Sequence, residues 1–123
     1  MGIVLKVEDR DLNRVLAMKV LRDEGRPAGG ARSRVPPEHL ARFLEEAHVT
    51  AQLDHSGIVP VHELGVNAAG RVFFTMQLVQ GRQLGEVLRL AREEAEGWNL
   101  PRAVGVLVKA CQAVAYAHTK GVI

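Results

Sequence analysis

One lysine inside an apolar run constrains this chain more than any other feature. Val15-Leu16-Ala17-Met18-Lys19-Val20-Leu21 is apolar at every position except Lys19 and has the length of a buried strand. An unpaired ammonium there would lose its hydration and sooner give up its proton, so Lys19 must reach water or hold an anion. An edge-strand lysine that blocks aggregation is the commoner arrangement. Its neighbours argue for the anion: a glycine-bearing strand precedes it and a helix rich in carboxylates follows it.

The rest of the chain supplies those neighbours in order. Gly2-Ile3-Val4-Leu5-Lys6-Val7 reads as a strand, and the polar Asp9 to Arg14 stretch joins it to the Lys19 strand as a hairpin. The first strand is expected to leave an open edge. Arg22 to Val35, with Gly25, Pro27, Gly29, Gly30 and several arginines, has no period and predicts a mobile surface loop, in which Ser33 has no assigned role. After Pro36-Pro37, the apolar positions Leu40, Phe43, Leu44, Ala47 and Ala51 keep helical spacing to about Leu53. Of the adjacent Glu45 and Glu46, only one can share the inward side with Phe43 and Ala47, and Glu46 flanks that stripe better. Glu46 is therefore the expected partner of Lys19, set against a plain pair of solvated glutamates.

A second hairpin follows: Ile58 to Leu64, a turn over Asn67 to Gly70, and Arg71 to Val79. Leu84, Val87, Leu88 and Ala91 mark one face of a short helix. The last helix has Asn99 as N-cap, Pro101 in its first turn and Gly121 as its stop. It is apolar around most of its circumference, leaving a narrow polar stripe through Lys109, Gln112 and Tyr116. Such a helix calls for neighbours on several sides, more than this chain supplies. Exposed apolar surface, self-association or dependence on further protein is the expectation.

Composition narrows the function classes. The 123 residues, 47% hydrophobic and 24% charged, suit one small globular domain. A net charge of +2 with 4% aromatic residues gives a nucleic-acid binder little support. Cys111 is the single cysteine, so no internal disulfide forms and a reducing, cytoplasmic setting is the default; its apolar neighbours predict a buried, inert thiol. No run is long enough for a membrane span. His48, His55 and His62 recur every seven residues but fall on different elements, so no metal site is expected. His118 suits the negative end of the last helix.

With these parts placed, the order resembles the front half of a protein kinase domain, of the bacterial eukaryotic-like serine/threonine type. Met1-Gly2-Ile3-Val4 resembles the tail of the glycine-rich loop, and Leu16-Ala17-Met18-Lys19 resembles the V-A-I-K strand. Phe43-Leu44-Glu45-Glu46-Ala47 resembles the helix whose glutamate pairs with that lysine. Leu53-Asp54-His55-Ser56-Gly57-Ile58-Val59 is similar to the L-x-H-P-x-I-V segment, with Ser56 in place of proline. Phe74 to Gly81 resembles the fifth strand and hinge, and Ala113 to Ile123 the helix leading into the catalytic loop.

The resemblance implies an α+β fold: an antiparallel sheet plus one helix over residues 1–80, lacking its first strand, and the first two helices of an incomplete second lobe over residues 81–123. It implies catalytic positions at Lys19 and Glu46. It implies an ATP site formed by Gly2, Val4, Ala17, Lys19, the gatekeeper Met76, and the hinge at Gln77, Leu78 and Val79. The H-R-D, D-F-G and A-P-E segments of the family do not occur in the 123 residues. ATP binding is accordingly expected to be weak and insensitive to magnesium, which only a complete domain would hold, and the protein substrate belongs to that complete domain. The leading reading is a truncated, catalytically incomplete kinase domain; the alternative is a non-catalytic kinase-like interaction module. A small basic nucleic-acid binder has only the arginines of residues 22–35 behind it.

Overall fold

The computed structural model describes residues 2–22 and 35–123. Its elements are β1 (Gly2–Asp9), β2 (Arg14–Leu21), α1 (Pro37–Ala51), β3 (Val61–Val66), β4 (Val72–Gln77), α2 (Leu84–Glu93) and α3 (Leu100–Thr119). This is the predicted order of hairpin, helix, hairpin, short helix and long helix. Met1 and the core of the expected 22–35 loop, Ser33 included, lie outside the described residues. The chain divides into two compact units, Met1–Asp54 with Val59–Leu78, and His55–Ile58 with Val79–Ile123.

In the first unit the strands form one antiparallel sheet in the order β1-β2-β4-β3, with β1 at an edge as the sequence predicts. Each hairpin is closed by a side chain that substitutes for missing backbone partners. Asp9 accepts hydrogen bonds from the Asp11 and Leu12 amides and from Arg14 Nε, while Asn67 accepts from the Ala69 and Arg71 amides. Directly opposed residues of an antiparallel pair point the same way, so Val4, Lys19 and Phe74 share one face, as do Ala17 and Met76. That face carries the core, in which Leu21, Ala47 and Phe74 surround the fully buried Phe43 of α1. The Phe43 and Phe74 rings meet with centroids 5.0 Å apart.

Three boundaries differ from the sequence reading. β3 starts at Val61 and not at Ile58, because Pro60 has no N–H for a ladder; its carbonyl instead accepts the Gln77 amide at 3.0 Å. β4 runs over Val72–Gln77, so Arg71, Leu78 and Val79 fall outside it, and α1 ends at Ala51.

The second unit pairs α2 with α3. Asn99 caps α3 by accepting from the Arg102 amide at 3.0 Å, and Gly121 ends it at φ 78°, both as expected. Between the helices, Arg102 lies over the Trp98 ring and donates to the Gly97 carbonyl. The segment His55–Ile58 belongs with α3: a Cβ on Gly57 would come within 2.8 Å of the Ala113 Cβ, and the His55 and Tyr116 rings lie 5.2 Å apart.

Two expectations fail here. The buried face of α2 is Val87, Leu90 and Ala91, while Leu84 and Leu88 are exposed, since the i, i+3, i+4 stripe starts one turn later than the apolar spacing suggests. Tyr116, on the polar stripe of α3, is half-buried beside His55. Cys111 is exposed, not buried. Only Ala103 and Ala113 of α3 are buried, and a residue two positions before Ala113 stands about 200° around the helix from it.

Candidate functional site

Lys19 stands in the second half of β2, an interior strand, where its stem is flanked by Val4 on β1 and Phe74 on β4. Its Nζ donates to both oxygens of Glu46, at 2.7 and 2.8 Å. Glu46 is placed there by α1. Phe43, three residues earlier, is fully buried against Phe74, and a spacing of three brings Glu46 round to the same side of the helix. Both glutamates are exposed, but it is Glu46 that Lys19 reaches, so the choice between the two made from helical geometry holds.

The pair orients more than it stabilises. The two side chains are 23% and 47% exposed, and ion pairs so open to water are worth about 0–1 kcal/mol. The Phe43 and Phe74 ring centroids lie 6.0 and 5.9 Å from Nζ, at the outer limit of useful cation–π attraction. An ammonium carries three N–H donors, and Glu46 occupies two. One donor is left for a further acceptor, which is the chemistry of an anion-holding lysine.

Gly2 lets β1 lie close to β2. A Cβ at Gly2 would lie 2.9 Å from the Val20 carbonyl oxygen, so a larger residue would push the two backbones apart, while its 3.5 Å distance from Lys19 Cγ and Cε is ordinary contact. Val4 is 60% exposed on the same face, and Ala17 is buried opposite the half-buried Met76. Gly2, Val4, Ala17, Lys19 and Met76 thus share one face of the sheet with α1. Gln77 points its side chain the other way, opposite Leu16, and its amide is already taken by Pro60; what it can offer is its backbone carbonyl. Leu78 is half-buried and Val79 is exposed. Among the described residues, no group of three or more His, Cys, Asp or Glu side chains could hold a metal ion, and no helix is long and apolar enough to cross a membrane.

Two contributors were not singled out from sequence. Pro60 fixes the Gln77 amide through its carbonyl, and Thr75, between Phe74 and Met76, buries a hydroxyl on the opposite face. The strand period could have placed Thr75 on that face, but pairing of a hydroxyl is invisible in a sequence.

No family profile matches the chain. Individual relatives do. Serine/threonine-protein kinase PknJ of Mycobacterium tuberculosis is 39% identical over 123 residues, 100% of this chain and 18% of the relative. PknA of the same species is 34% identical over 127 residues, again 100% of this chain and 27% of the relative. PknD of Protochlamydia amoebophila is 38% identical over 95 residues, 71% of this chain and 10% of the relative. The chain therefore spans between 10% and 27% of the length of these relatives. The solved structure described as PpkA-294 apo form superposes with a TM-score of 0.57 at 22% identity, over 76% of this chain and 36% of that one, a likeness of fold. An antiparallel sheet with one packed helix, helices after it, and sequence identity running through the chain from the Gly2 strand to α3 lead to one assignment: the chain belongs to the eukaryotic-like serine/threonine protein kinase family.

Proposed function

We propose that this chain is the ATP-binding part of a serine/threonine protein kinase domain, with residues 1–80 as the nucleotide-facing lobe and residues 81–123 as the first helices of the second lobe. In a complete domain this part would serve transfer of the ATP γ-phosphate to protein Ser or Thr. The observation that carries the reading is the two-oxygen pairing of Lys19 with Glu46, which leaves one ammonium N–H for a phosphate oxygen.

The residues present fit a nucleotide better than they fit a metal. The Lys19 ammonium keeps one N–H for a phosphate oxygen, and Val4, Ala17 and Met76 offer an apolar surface to a base. Gln77 would accept from the base through its carbonyl, with Leu78 and Val79 completing the hinge. Lys19 would bind the phosphates and Glu46 would hold it in place, so Lys19 touches the ligand and Glu46 acts through it. Magnesium, in a complete domain, would neutralise phosphate charge; the described residues hold no cluster for it, so no step is assigned to it. The 123 residues contain neither H-R-D nor D-F-G, and the chain by itself is expected to be inactive in phosphoryl transfer.

Calorimetric titration with ATP tests this. Weak binding, unchanged by magnesium and weakened roughly tenfold by Lys19→Met, is the expected result. Tight, magnesium-dependent binding, or binding indifferent to Lys19→Met, would overturn it.

A further inference from the structure

The sheet face turned away from Phe43 carries a cavity of about 570 Å³, within the size range of small-molecule sites. Val7, Leu16, Met18 and Phe73 give it an apolar lining. Gly65 stands opposite Phe73 in the ladder, and a Cβ there would come within 3.0 Å of the ring, so the glycine leaves the ring its position.

Thr75 lies at the centre of this face. The antiparallel register sets Met18, Thr75 and Glu63 in one row across β2, β4 and β3, so their side chains point to the same side. Thr75 is 4% exposed, and its Oγ1 is buried without a hydrogen-bond partner among the described residues. Buried hydroxyls are ordinarily paired, and one that lines a cavity is a group in want of a ligand atom.

Glu63 sets the charge of that ligand, because the register places it directly beside Thr75. Around it the cavity is bordered by Asp9 and Asp11 and by Arg10, Arg14 and His62. Arg14 is already engaged by Asp9 at 3.1 Å. Glu8 also borders the cavity, but its place on β1 with Val4 turns its side chain to the Lys19 face.

We propose that this cavity binds a small amphipathic cation, an apolar ring or chain that ends in an ammonium group. The apolar body packs on Phe73 and Met18. The ammonium donates one hydrogen bond to the Glu63 carboxylate and another to Thr75 Oγ1, which relieves the orphaned hydroxyl. An anion of the same shape meets the Glu63 carboxylate and is rejected. The site lies on the opposite side of the sheet from Lys19, so it is independent of the nucleotide reading.

Tryptamine is a suitable probe, measured by ligand-observed NMR and calorimetry on the full chain. Tryptamine should bind, indole-3-acetate should not, and saturating ATP should leave tryptamine bound. Glu63→Gln and Thr75→Val should each weaken binding roughly tenfold, while Thr75→Ser retains it. Equal binding of indole-3-acetate, displacement by ATP, or indifference to both substitutions in a folded protein would overturn the proposal, as would absence of binding. Concentration-dependent protection of Phe73 and Met18 without added amine would assign the face to a second copy instead and equally overturn it.

Discussion

Thr75 and Asp9 show how differently two polar side chains of one sheet can be treated. Thr75 buries a hydroxyl that has no hydrogen-bond partner among the described residues, which costs about 1–3 kcal/mol. Thr75→Val removes that cost at nearly constant shape, so we expect denaturant unfolding to show an increase in stability on the order of 1 kcal/mol. Asp9 is the opposite case. The Arg14 side chain that hydrogen-bonds it, together with the Leu12 and Asp11 amides, holds its carboxyl below the ordinary value of 3.8. A carboxyl lowered by folding contributes stability that is fully present above its unfolded value and is lost as the pH falls through its folded one. The difference in melting temperature between the native protein and Asp9→Asn should therefore persist at neutral pH and shrink as the pH falls below 3.8. A difference that stays constant through that range would show that the hairpin does not depend on the charge.

At the scale of elements, α1 is held to the sheet through few groups. Among the described residues Phe43 is the one large side chain that is fully buried, and Ala47 sits one turn further on the same stripe. The pair of Lys19 and Glu46 is too open to water to anchor the helix, so packing of Phe43 on Phe74 sets the position of Glu46 and not the reverse. Phe43→Ala is expected to cost about 3–5 kcal/mol by denaturant unfolding. If the chain remains folded, contact between Lys19 and Glu46 should loosen with it, seen as loss of the Glu46-dependent shift of the Lys19 Nζ resonance. Glu46→Gln, by contrast, should change stability by less than about 1 kcal/mol.

For the molecule as a whole, α3 presents the largest unmet demand for burial. Leu100, Val104, Leu107 and Val108 follow one another at helical spacing and are all exposed, from 39% to 72%. Each large apolar side chain left in water forgoes on the order of 1.5–3 kcal/mol of burial, against a typical domain stability of about 5–15 kcal/mol. The isolated chain should therefore self-associate through α3, with a mass by light scattering that rises with concentration and falls back toward the monomer in Val104→Lys with Val108→Lys. A protein that stays monomeric and melts in one sharp transition would refute this. The same stripe is the observation that favours an interaction module as the second reading of the chain.

Periodicity and local chemistry were enough to determine the element order, the two hairpins, the Asn99 cap, the Gly121 stop and the pairing of Lys19 with Glu46 over Glu45. These rest on interactions within a few residues, or on which side of one helix a residue occupies, and such information is contained in sequence spacing. Burial of Cys111, Leu84 and Leu88 was read wrongly from the same spacing, because an apolar position states a preference and only the neighbouring elements decide whether it is met. The unpaired Thr75 hydroxyl, the place that Gly65 leaves for Phe73 and the close approach of Gly57 to Ala113 depend on strand register and on segments far apart in the chain. They follow from long-range packing, which no local pattern records.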